Sequence, residues 1–155
     1  IAATSMVGQS LGAKKPLVAR QAAFKSLQFA LVIMGMAGLL FFFFPELLAR
    51  FFTNDLYLIS TAAIAIKIAA FEQVAIAAEM VFAGALRGTG DTKSPMLVAF
   101  FGIWFFRLPL VWIMIKHLHL GLYHVWILFV IDWYLRAAVL LVIFLRVKWH
   151  TKLSG

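Results

Sequence analysis

The chain has 155 residues, of which 65% are hydrophobic and only 13% charged, with a formal net charge of +8 and no cysteine. A soluble domain carries about 25% charged residues, so a water-soluble enzyme core is excluded. The lack of cysteine excludes disulfides and thiolate metal sites.

The apolar residues gather in runs close to the ~20 needed to cross a bilayer as a helix. Open strands leave backbone groups unsatisfied in lipid, so the expected fold class is an all-α membrane protein, a single membrane domain over 1–155. The opening Ile1-Ala-Ala-Thr-Ser-Met-Val-Gly8 has no initiator methionine, basic leader or cleavage site. It reads as the tail of a helix in a fragment of a longer chain. The first span is expected over 16–44, with Pro16 at the first helical position and Pro45 ending it. Residues 45–55 are too short and mixed to cross and suit the membrane interface. Asn54 or Asp55 can cap a second span over 56–86; at 1.5 Å per residue its ~46 Å exceeds the ~30 Å hydrocarbon core, so it tilts or protrudes. A third span is expected over 94–115 and a fourth over 122–145.

Basic residues set the orientation. Lys14, Lys15, Arg20, Lys25, Arg87, Lys93, Arg146, Lys148 and Lys152 fall at one set of ends, against Arg50 and Lys116 at the other. That alternation places the C-terminus in the cytoplasm of a multi-pass protein of the cell inner (plasma) membrane. Tyr57, Trp112, Tyr123 and Trp126 then gather at the outer boundary and Trp149 at the inner one. The positive charge is accounted for by topology; its distribution over short separate loops gives no nucleic-acid surface.

The glycine-rich stretch Gly84-Ala-Leu-Arg-Gly-Thr-Gly-Asp-Thr-Lys-Ser-Pro95 looks like a phosphate cradle, yet such a loop needs a strand before its helix. Here it is a turn between two helices. Gly84 and Gly88 have the spacing that lets helices approach closely, Gly90-Asp91 makes a tight break, and Gly8-Gln9-Ser10-Leu11-Gly12 repeats the small-residue spacing at another loop.

Ionisable residues inside the spans are costly and should face the bundle interior in pairs. They are Lys67, Glu72 and Glu79 in span two, Arg107 in span three, and Asp132 and Arg136 in span four. Thr61, Glu72 and Glu79 share one helical stripe, whereas Lys67 points about 120° away. Glu72, near mid-span among Ala69, Ala70, Ala75 and Ala78 with Gln73 beside it, is the candidate for binding a coupling ion or a cationic substrate; a helix-to-helix hydrogen bond is the structural alternative. Glu79 is the fallback. Arg107, Asp132, Arg136 and Lys67 read as structural buried charges, with snorkelling toward the interface as the other reading of Lys67. Asp132 and Arg136 have the favourable i, i+4 order, but Arg107 and Asp132 also lie at similar depths, about 12 and 15 Å from the outer ends of their helices, and can pair. His117, His119 and His124 lack a fourth ligand, and no metal or cofactor is expected. Nor is there a nucleophile–base arrangement of an enzyme.

Several motifs together resemble the multidrug and toxic compound extrusion (MATE) transporters. They are Val7-Gly-Gln-Ser-Leu-Gly-Ala13 with Ala19-Arg20, Phe44-Pro-Glu46 with Phe52-Thr-Asn-Asp55, the Gly84–Thr92 stretch with Pro95-Met96, Arg107-Leu-Pro109, Asp132-Trp133, Arg136-Ala137 and Lys148-Trp149. The resemblance implies four transmembrane helices plus the tail of a fifth, most of the C-terminal lobe of a twelve-helix two-lobed transporter. It implies antiport of small organic cations or drugs against H⁺ or Na⁺, across a cavity shared with a missing N-terminal lobe. The aspartate of sodium-type members would fall at Ile76, so their sodium site does not carry over. A flippase for lipid-linked saccharides and a non-transporting membrane scaffold remain as alternatives.

Overall fold

The structure, a computed structural model, describes residues 2–147; Ile1 and the stretch with Lys148, Trp149 and Lys152 lie outside the described residues. All regular structure in the described chain is helical: α1 Ala2–Gly12, α2 Pro16–Phe43, α3 Pro45–Arg50, α4 Leu56–Gly88, α5 Lys93–Lys116 and α6 Leu122–Arg146. Helices α2, α4, α5 and α6 are each long and apolar enough to cross a membrane. The local chemistry at their ends explains the breaks. Pro16 opens α2 and Pro45 opens α3, where a missing N–H costs nothing. Asp55 caps α4, its Oδ1 accepting from the N–H groups of Tyr57 at 2.8 Å and Leu58 at 3.3 Å. At the other end Gly90 turns the chain with φ +85°, a conformation that glycine adopts without strain. Asp91 then accepts from the Ser94 N–H at 3.0 Å and the Ser94 hydroxyl at 2.6 Å, starting α5.

Helix α4 is the axis of the bundle, with α1, α2, α3 and α6 all packed against it. The core lies at its Gly88 end, where Val7, Ala19, Ala23, Phe82, Ala85, Leu86, Leu140 and Phe144 are almost fully buried. Phe144 is wedged between Phe24 and Phe82, with ring centroids 5.8 and 5.4 Å away. Small residues set the approach of α1. A Cβ on Gly88 would lie 2.6 Å from the Thr4 carbonyl oxygen, so that position requires glycine for the two backbones to meet, and one on Gly84 would lie 3.1 Å from the Thr4 hydroxyl, a close contact that favours a small residue. Gly8 sits opposite the Gly88 carbonyl, but Gly12 has no neighbour within 4 Å and Gln9 is exposed. The repeated motif therefore does not pack along its whole length. Because α1 and α4 run in the same direction, one more turn of α1 carries Gly12 past the end of α4.

Two features depart from the sequence reading. Helix α5 is not uniform: Gly102–Arg107 forms a π-helical turn, and the N–H of Leu108 donates to the carbonyl of Ile103, five residues back. Pro109 supplies the reason. A proline cannot donate to the carbonyl four residues earlier and its ring clashes with it, and widening the preceding turn relieves both problems. The second departure is Lys67, expected among the buried charges but exposed here. Helix α2 stops at Phe43, and Phe42 already stacks edge-on against Phe71, with centroids 5.9 Å apart. Lys67, one turn earlier on α4, is thus level with the end of α2, where it borders an open cleft and stays exposed.

Candidate functional site

Midway along the bundle, charged side chains from three helices converge. Asp132 on α6 is fully buried, and its Oδ2 lies 2.5 Å from a guanidinium nitrogen of Arg107 and 3.2 Å from one of Arg136. These are electrostatic contacts more than aligned hydrogen bonds, as donors and acceptors on all three residues lack a well-directed partner. Both pairings open to the sequence therefore occur together: one carboxylate holds two guanidiniums. Arg107 arrives from α5 at the end of the π turn, while Arg136 reaches from α6 to lie beside Gly102 of α5. A Cβ at Gly102 would come within 2.6 Å of the Arg136 Cδ, so that glycine makes room for the side chain.

Aromatic rings complete the cluster. The Arg136 guanidinium carbon is 4.1 Å from the centroid of the Trp133 ring, and that of Arg107 is 4.6 Å from Phe129 and 5.6 Å from Trp133. Ring faces attract cations, more so where water is excluded, and they hold the two like-charged groups in place around one carboxylate. The sequence reading missed the stacking role of these rings and the space that Gly102 leaves. The spacing of Phe129, Asp132, Trp133 and Arg136 at three and four residues already puts all four on one face of α6.

Glu72 on α4 faces the cluster from the other side, in electrostatic reach of Arg107 and Asp132. It is 7% exposed, and its Oε1 is buried with no hydrogen-bond partner among the described residues. Glu79, two turns nearer the Gly88 end, is half-buried and feels Arg136, Arg87 and Asp132. Gln73 does not join them, because its side-chain nitrogen donates back to the Ala69 carbonyl at 3.2 Å, along its own helix. A cross-helix tie fixes the level of Glu72: the Tyr134 hydroxyl on α6 donates to the Phe71 carbonyl at 3.2 Å.

With Lys67 elsewhere, Asp132 engages both guanidiniums of the converging set. Glu72 is left without a close counter-ion. A carboxylate so placed is balanced by one added positive charge, whether a proton on it or a cation beside it. Among the described residues no group of three or more histidine, aspartate or glutamate side chains could hold a metal ion.

Comparison with known proteins gives this geometry its context. Residues 1–113 match the family model MatE. Among curated relatives, a probable multidrug resistance protein NorM of Thermotoga maritima is 36% identical over 98% of this chain and 33% of its own length. A multidrug resistance protein NorM of Burkholderia vietnamiensis is 33% identical over 81% of this chain and 28% of its own. An uncharacterized transporter, YisQ, of Bacillus subtilis is 29% identical over 87% and 30%. The chain thus spans about a third of the length of these relatives. Its all-helical, four-span bundle and the extent of the family match give one conclusion: the chain belongs to the MatE family of membrane transporters, the family its motifs resemble.

Proposed function

We propose that the full-length protein is a secondary antiporter that exports organic cations, including drugs, in exchange for inward H⁺ or Na⁺, and that Glu72 is where the two cations compete. The observation that carries this reading is the buried, unpartnered Glu72 carboxyl beside a cluster whose guanidiniums are already engaged by Asp132. A carboxyl placed so can be neutralised in turn by a coupling ion from one side and by a substrate cation from the other, which makes binding of the two exclusive. The names of the relatives, which speak of multidrug resistance, support the same substrate class. Sequestration of Arg107 and Arg136 by Asp132 argues against a flippase for phosphate-bearing saccharides, which needs guanidiniums free for its cargo. In this reading the missing part of the chain supplies the opposite wall of the cavity, Glu79 relays charge toward the Gly88 end, and that end faces the cytoplasm.

The test uses purified full-length protein in weakly buffered detergent. Adding tetraphenylphosphonium is expected to release about one proton, or one Na⁺ from Na⁺-loaded protein, per substrate bound, as exclusive binding at one carboxyl requires. Binding of tetraphenylphosphonium with no release of either ion would overturn the antiport reading. Orientation is checked separately by single-cysteine labelling in intact cells, with other cysteines of the full chain removed. A cysteine at His119 is expected to react with an impermeant maleimide and one at Thr92 to be protected; the reverse pattern would invert the topology.

A further inference from the structure

Lys67 and Glu46 line one cleft of about 530 Å³ at the end of α2, walled by Phe42, Phe43, Pro45 and Leu47. Both side chains are exposed, and neither makes an ion pair or a side-chain hydrogen bond with a described residue. The other large clefts of the bundle are walled almost wholly by hydrocarbon; this one carries a cation and an anion together. Its depth is fixed by α2 and α4. Gly38 packs on the Ala70 carbonyl and Phe42 on Phe71, so the cleft opens just beyond the last turn of α2, at the end of a helix long and apolar enough to cross the hydrocarbon core. An ammonium at this level reaches for the headgroup layer, with its stem along the apolar wall.

We propose that this cleft binds the headgroup of a zwitterionic aminophospholipid, with Lys67 on the phosphate and Glu46 on the ammonium. Opposite charges on one headgroup satisfy opposite charges on one wall, which neither a purely anionic nor a purely cationic ligand can do. The rings of Phe42 and Phe43 and the side chain of Leu47 give the glycerol and upper acyl carbons an apolar surface to cover. An anionic lipid such as phosphatidylglycerol gains from Lys67 and is repelled by Glu46, so Glu46 is the selective element. None of its lining residues belongs to the charged cluster of α5 and α6, and the site is independent of the transport reading.

Native mass spectrometry of the full-length protein, offered equimolar dioleoyl phosphatidylethanolamine and dioleoyl phosphatidylglycerol, tests this. Wild type is expected to retain the ethanolamine lipid roughly two- to fivefold over the glycerol lipid, the size a partly exposed charge pair gives. Glu46→Gln is expected to abolish that preference by admitting the glycerol lipid. Lys67→Gln is expected to weaken retention of both, with Lys67→Arg restoring it; the rescue separates loss of the site from loss of fold. Soluble phosphoethanolamine at the same concentration is expected to leave the lipid bound, because it covers none of the apolar wall. Displacement by it would reassign the cleft to a small zwitterion. Equal retention in wild type, or a Lys67→Gln protein that retains lipid like wild type, would sink the proposal and show that another segment of the full chain covers these charges.

Discussion

Asp132→Leu is expected to cost far more folded protein than Arg107→Leu. Asp132 is the shared anion of Arg107 and Arg136, so removing it strands two guanidiniums, with Arg136 held 5% exposed between α5 and α6. Breaking a buried pair by deleting one member costs roughly 3–5 kcal/mol, a large share of a total stability of about 5–15 kcal/mol. Arg107→Leu is milder, because Asp132 keeps Arg136 and the lost guanidinium was already one-fifth exposed. The double substitution is expected to fall short of the sum of the two, and adding Arg136→Leu to it should recover more, since the last unpaired charge then goes. Folded yield by size-exclusion chromatography and Tm in detergent read this series. Strictly additive losses, or an Asp132→Leu protein as stable as wild type, would mean that the full chain provides these arginines with other anions.

How far this arrangement could be read from the sequence depends on the range of the interaction. Local devices were legible: four apolar runs near bilayer length became four long helices, and the capping carboxylate before Leu56 proved to be Asp55. The close approach at Gly84 and Gly88 was also legible, since only small residues admit a neighbouring backbone. Failures arose where one helix depends on how far another extends. Lys67 was assigned to the interior by its position within an apolar run, but burial depends on α2, which stops one turn short of covering it. Gly12 has the right spacing and no partner, because α4 ends first. The π turn was missed although Pro109 announces a conflict in the helix four residues back, and the stacking role of Trp133 was missed although Arg136 stands three residues away on the same face. Glu72 was selected by depth and alanine neighbours; its lack of a partner follows from the meeting of α5 and α6 at Asp132, a tertiary fact that no spacing within α4 encodes.

Glu72→Gln is expected to fold normally and to lower drug efflux by about tenfold or more, the kinetic counterpart of ~1.4 kcal/mol. The substitution keeps the shape and hydrogen-bonding capacity of the side chain while removing a buried charge that lacks a close counter-ion. Folding is spared, and even favoured, because a neutral amide in that buried position carries no ionic desolvation cost. Efflux falls because the amide can neither take up a coupling ion nor balance a cationic substrate, so the positive charge that would neutralise Glu72 has no place to go. The two effects have opposite signs, which separates this outcome from simple misfolding: Tm in detergent should hold or rise while tetraphenylphosphonium efflux and substrate-driven ion release both collapse. Glu79→Gln, on a half-buried residue nearer solvent, should retain most of the release stoichiometry and slow its rate. If Glu72→Gln pumps like wild type while Glu79→Gln does not, the exchange site moves two turns along the same stripe. If both pump normally at matched expression, the coupling carboxyl lies in the part of the transporter beyond these four helices.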